Sequence, residues 1–244
     1  MTRRTGARPT KGTDMTADMT TRKTFALNKD PWSTYTHFAG FVAAIVGLVA
    51  LLVATWGDAA TMTSSTIYGV SLALLFLASS AYHFFDLGES GNAWLRRLDH
   101  AAIFLLIGGT YVPSFMHLLD GAWRVTMLSV VGGLALLGVL FKLALFDGAQ
   151  KSKAGTLMYV LLGWIVVIPA YKMYPVIPST SLAWLVAGGL AYTVGAVVYA
   201  RKWPDPWPET FGFHEVWHLF VLLGAGLHYG FVFSLLDVPV PPFA

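Results

Sequence analysis

Apolar residues run in long blocks along this chain, and polar residues are largely confined to the gaps between them. A helix needs roughly 20 mostly apolar residues to cross a bilayer. On that measure the blocks predict seven membrane-spanning helices, over residues 34–56, 66–86, 98–118, 123–146, 155–174, 181–200 and 212–236. The gaps are short and carry the residues that end helices: Gly57-Asp58, Gly88 to Gly91, Asp120-Gly121, Asp147-Gly148, Pro175 to Pro178, and Pro204-Asp205-Pro206-Trp207-Pro208. Pro169 and Lys172 interrupt the end of the fifth block, and Pro113 inside the third predicts a kink without a break. No internal repeat is visible. The expected fold class is an all-α integral membrane bundle of seven helices.

Composition removes the soluble alternative. Of 244 residues, 56% are hydrophobic and only 12% are charged, about half the share of an ordinary soluble domain. Ten of the 29 charged residues fall within the first thirty positions. Residues 1–29 therefore read as a basic, disordered cytoplasmic tail, and residues 30–244 as the membrane domain. The tail has no apolar core of the kind a secretory signal needs. The absence of cysteine excludes disulfides and thiolate metal sites.

The net charge of +3 suggests topology, not nucleic acid, once the cations are placed. Seven lie in the tail; Arg96, Arg97, Lys142, Lys151, Lys153, Arg201 and Lys202 lie in alternate loops or at span ends on the same side. Only Arg124 and Lys172 fall opposite. This bias predicts a cytoplasmic N-terminus and an external C-terminus in the cell (plasma or inner) membrane. Trp56, Tyr68, Trp94, Trp123, Tyr174 and Trp203 near span ends fit interfacial anchoring.

Ionisable groups inside spans are costly and so point to function. Lys and Arg at span ends can reach the interface and are set aside. The rest are His37, His83, Asp86, Asp99, His100, His117, His214, Glu215, His218 and His228. The predicted topology brings His37, His83, Asp99, His100, His214, Glu215 and His218 to one level, at the cytoplasmic ends of four spans. His214 and His218, four residues apart, share a helix face about 40° wide, a spacing that suits two ligands of one metal. With His83 they make a three-histidine set whose fourth position is left open, the mark of a catalytic zinc. Asp99 could orient an imidazole or take a proton from water. Ser79 lies about 6 Å deeper than His83 on the same face.

A single buried histidine in a helix bundle is ordinarily just hydrogen-bonded. Shared depth and the four-residue spacing set these three apart from that background. His117, at the other end of span three, is expected to be interfacial, and His228, about 15 Å deeper than His218, a packing or relay residue. His214-Glu215-Val216-Trp217-His218 also spells the metalloprotease pattern H-E-x-x-H, with Glu215 as general base. A protease would need a further ligand, and the only later carboxylate, Asp237, sits at the far end of the same helix.

Four stretches together resemble the bacterial haemolysin III proteins, relatives of the progestin and adipoQ receptors in a superfamily that includes the alkaline ceramidases. They are Thr36-His37, Ser79-Ser80-Ala81-Tyr82-His83, Arg97-Leu98-Asp99-His100 with Ile107 to Pro113, and Phe213 to Phe220. The likeness covers about residues 30–236. It departs at Asp30 and Ser33, where the family often has Glu and Asn. It implies a seven-helix fold with the N-terminus inside, zinc on His83, His214 and His218, and accompanying roles for Ser79 and Asp99. Glu215 is then auxiliary.

The function expected from residues and resemblance together is a zinc-dependent hydrolase of amide or ester bonds in lipids, or a role in membrane lipid homeostasis. Membrane lipids would be its partners. Zinc would bring a bound water near neutral pKa, Asp99 would hold or deprotonate that water, and Ser79 would donate to the developing oxyanion. Two other classes stand beside it: a non-enzymatic membrane sensor with structural zinc, and a pore-forming cytolysin. No span carries the full-length polar stripe that a pore would need.

Overall fold

Six of the predicted blocks become single helices of membrane-crossing length in a computed structural model, which describes residues 26–145 and 153–242. They are α1 (Pro31–Ala54), α2 (Ala59–Phe84), α3 (Gly88–Leu118), α4 (Gly121–Leu140, prolonged by a π-helical turn Phe141–Leu145), α7 (Ser179–Arg201) and α8 (Phe213–Ser234). The tail before residue 26, the Asp147-Gly148 break and Lys151 lie outside the described residues.

The helix starts have local causes. Pro31 occupies the first turn of α1, where its missing N–H costs nothing. Asp58 caps α2: its Oδ1 accepts from the backbone N–H groups of Ala60 and Thr61, each at 3.1 Å. That cap carries α2 seven residues upstream of its apolar block. α3 also starts early, ten residues ahead of its block. Gly88 supplies the left-handed turn at φ +74°, and Glu89 suits the positive end of the helix dipole. Hydropathy alone could not see this polar first third. As expected, α3 continues through Pro113.

The fifth block is broken. It comprises α5 (Lys153–Gly163), a 3-10 turn Trp164–Val167, and a one-turn α6 (Ala170–Met173) after Pro169. Tyr111 of α3 stitches the change of helix type. Its hydroxyl lies 3.0 Å from the Leu162 carbonyl and 2.6 Å from that of Gly163, and accepts the Val166 N–H at 3.1 Å. Backbone groups freed inside a bilayer need such partners. Tyr111→Phe strands them, and is expected to lower unfolding free energy by about 1–3 kcal/mol. Denaturation in mixed micelles would measure this; a wild-type midpoint would remove the role.

α1 packs on α2, α2 on α3, α3 on α4 and α7 on α8, with α1 against α8 closing the bundle. Leu51, Tyr68, Phe104, Phe115 and Phe231 fill its interior, while Val46, Val53, Leu136 and Leu137 face outward, as a lipid-solvated bundle requires. A two-residue antiparallel pair joins β1 (Ala26–Leu27) to β2 (Phe85–Asp86), with Ala26 opposite Asp86 and Leu27 opposite Phe85. It lays the chain entering α1 across the end of α2. At the opposite end of the bundle, Arg124 donates to the carbonyls of Leu119 (2.8 Å) and Pro241 (2.7 Å). His117, in the last turn of α3 at that end, is buried, with Nδ1 2.6 Å from the Val238 carbonyl. The chain after α8 folds back over it, which hydropathy of span three alone could not reveal.

Candidate metal centre

The end of α2 and the first turns of α8 meet at one end of the bundle, and there His83, His214 and His218 converge. Their candidate ligand nitrogens all lie within 4.8 Å of one another. His83 and His218 are buried, and the ring centroids are 4.6–5.1 Å apart. Nε2 of His214 lies 3.3 Å from Nε2 of His83. Two nitrogens bonded at 2.0–2.1 Å to a tetrahedral zinc stand about 3.3–3.4 Å apart, so this pair already has the separation a shared ion requires. The donor set fits zinc.

The tautomer of His83 follows from its other nitrogen. Nδ1 lies 2.8 Å from Oδ2 of Asp30. An ionised carboxylate only accepts, so the proton sits on Nδ1 and the Nε2 lone pair faces His214. The hydrogen bond from His83 holds the Asp30 carboxyl below the usual carboxylate range, against the opposing effect of partial burial. Asp99, expected as the group orienting an imidazole, lines the same cavity from α3, but the carboxylate on His83 is that of Asp30.

His37 supplies a fourth imidazole. It stacks on His218 with centroids 3.7 Å apart and planes 15° apart, and its Nδ1 lies 2.8 Å from the Ser79 hydroxyl. Its Nε2 is buried without a partner among the described residues. An orphaned lone pair is tolerated better than an orphaned N–H, which favours the proton on Nδ1. His37 then donates to Ser79 and leaves the serine proton free to point elsewhere.

Glu215 takes no part of this kind. Its Oε1 accepts from Ser33 at 2.8 Å and its Oε2 from the Gly212 N–H at 2.8 Å. It ties α1 to α8 and caps α8, so the H-E-x-x-H spelling does not deliver a free general base. His228 hydrogen-bonds the Gly224 carbonyl at 3.0 Å, in keeping with packing.

The contacts of Ser33 and Asp30 carry no signal in the sequence, least of all those of Asp30. No periodicity links it to a histidine 53 positions later.

The centre opens into a cavity of about 960 Å³, at the upper end of the range of small-molecule sites. His83, Asp99, His214 and Ser79 lie on its wall, and Leu75, Ile103, Leu106 and Ile107 line it further in. It extends to Ser114, about 22 Å along α3 from Asp99.

The family model described as Haemolysin-III related matches residues 25–229. Hemolysin-3 of Bacillus cereus is 33% identical over 215 residues, covering 87% of this chain and 94% of its own length. A Hemolysin-3 homolog of Bacillus subtilis (strain 168) is 32% identical over 218 residues, covering 88% and 98%. The Adiponectin receptor protein of Drosophila melanogaster is 24% identical over 224 residues, which is 84% of this chain and 50% of that one.

Proposed function

The chain belongs to the haemolysin-III related family of multi-pass membrane proteins, and from that premise we propose that it is a zinc-dependent hydrolase of amide or ester bonds in membrane lipids. The observation that carries this reading is the convergence of three histidine donors on the wall of a long, largely apolar cavity, toward one of its ends. On this reading α5, the 3-10 turn and α6 together make a seventh, broken span. The N-terminus is cytoplasmic, the C-terminus external and the membrane that of the cell.

His83, His214 and His218 would hold the zinc. When bound there, zinc supplies a Lewis acid and lowers the pKa of water toward neutrality. The chain's own groups do the rest. Asp99, on the cavity wall, would orient water and accept its proton. Ser79, whose hydroxyl is fixed by His37, would donate to the oxygen that gains charge as the carbonyl is attacked. The apolar wall would seat an acyl chain and exclude bulk water.

A second reading, a lipid sensor with structural zinc, draws on the way the centre ties α1, α2 and α8 together. A pore is not favoured, because the ionisable groups other than His228 gather at one end and the cavity wall beyond them is mostly apolar, with only scattered hydroxyls such as Thr110 and Ser114. Purified protein is expected to carry about one zinc per chain. Chelation should stop hydrolysis of a long-chain amide or ester substrate, and zinc should restore it. Protein without metal, or undiminished turnover after chelation, would sink the enzyme reading; zinc without turnover would leave the sensor.

A further inference from the structure

Asp30 occupies the N-cap position of α1, followed by Pro31, yet its side chain makes no capping hydrogen bond. An aspartate there normally accepts from the backbone N–H two or three residues on. Here the carboxylate turns away from its own helix and takes the Nδ1 proton of His83 at 2.8 Å. The backbone keeps it there. The Asp30 N–H donates to the carbonyl of His83 itself at 3.1 Å, and the β1–β2 pair anchors the chain just upstream. Lys29 is placed beside it, with Nζ 4.1 Å from the Tyr82 ring centroid. The candidate ligand and its acceptor are thus joined twice, once through backbone and once through side chain.

We propose that Asp30 is the positioning carboxylate of the metal centre: by accepting from Nδ1 it fixes the His83 ring and its tautomer and so turns the Nε2 lone pair toward a divalent ion. This rests on the reading that the three histidines bind zinc. A carboxylate behind a ligating imidazole typically contributes 10- to 100-fold in metal affinity. A further consequence concerns α1. Its entry segment contributes to metal affinity without supplying a ligand, so zinc binding and docking of residues 26–30 on the end of α2 reinforce each other.

The test uses the full chain in detergent, with zinc affinity measured by competition against a chelating indicator, and melting followed with and without zinc. Asp30→Ala is expected to raise the zinc Kd by 10- to 100-fold. Asp30→Asn keeps an acceptor but loses the charge, and should fall between that variant and the wild type. The zinc-induced rise in melting temperature should shrink in the same order. Should Asp30→Ala fail to fold, the asparagine variant carries the test alone. Wild-type zinc affinity in Asp30→Asn and in any folded Asp30→Ala overturns the proposal and leaves the three-histidine reading intact. So does an equal drop in melting temperature with and without zinc. A wild-type chain with no measurable zinc affinity overturns both.

Discussion

Replacing His218 with alanine is expected to strip the protein of zinc at concentrations that saturate the wild type. Structural zinc sites in small peptides gain about 10–16 kcal/mol from four ligands, so one nitrogen of a similar set accounts for roughly 2.5–4 kcal/mol. That corresponds to a rise in Kd of roughly 60- to 700-fold. Zinc at a hundred times the wild-type Kd stabilises the folded protein by about 2.7 kcal/mol, and the variant should lose almost all of that gain. His218 is also buried and stacked on His37, so its truncation leaves a void whose cost is the same with and without metal. Comparing the melting of each protein with and without zinc therefore separates the two effects. His228→Ala, at a histidine deeper in α8 and bonded to Gly224, serves as the control and should keep the full zinc-induced rise. A retained rise in His218→Ala would remove His218 from the metal set.

The parts of this centre that lie on regular helices were legible from residue spacing. His214 and His218 are neighbours on α8 whatever surrounds them, because four residues make just over one helical turn. Counting spans and their charges placed His83 and Asp99 at the same level. The contributions of residues 26–33 were hidden. They depend on a two-residue strand pair and on an aspartate that forgoes its local helix, and neither leaves a periodic trace. The H-E-x-x-H spelling, discounted above for want of a further ligand, fails in the folded chain for the complementary reason. Glu215 has the right spacing, but its oxygens are committed to Ser33 and to the Gly212 N–H, partners that only the folded chain reveals. Helix ends shifted where polar residues remain helical: α3 gains its first ten residues from a glycine turn and an acidic first turn, beyond the reach of an apolar window. The burial of His117 left no trace in span three because the chain that covers it comes from beyond α8, more than a hundred residues away.

Asp99→Asn is the substitution that separates an enzyme from a sensor. The side chains are nearly isosteric, so packing on the cavity wall should survive, and the group bonded to His83 is Asp30, not Asp99. Zinc content is therefore expected to stay at the wild-type level. Only the basicity of the carboxylate is lost, and general-base catalysis typically contributes 10²- to 10⁴-fold in rate. A fall in kcat of that order, with zinc retained, would assign proton transfer to Asp99. Ser79→Ala should cost about 10²- to 10³-fold if its hydroxyl is a lone oxyanion donor, again without loss of metal. His37, which holds that hydroxyl at 2.8 Å, then becomes the group through which α1 reaches the reacting carbonyl. Full activity in Asp99→Asn would end its assigned role, and loss of zinc in that variant would make it a support of the metal site instead. If the wild-type protein binds zinc but turns over no long-chain amide or ester, the same cavity and the same ion describe a sensor. The carboxylate of Asp99 would then face a bound lipid, not a hydrolytic water, and its substitution should shift lipid affinity in place of rate.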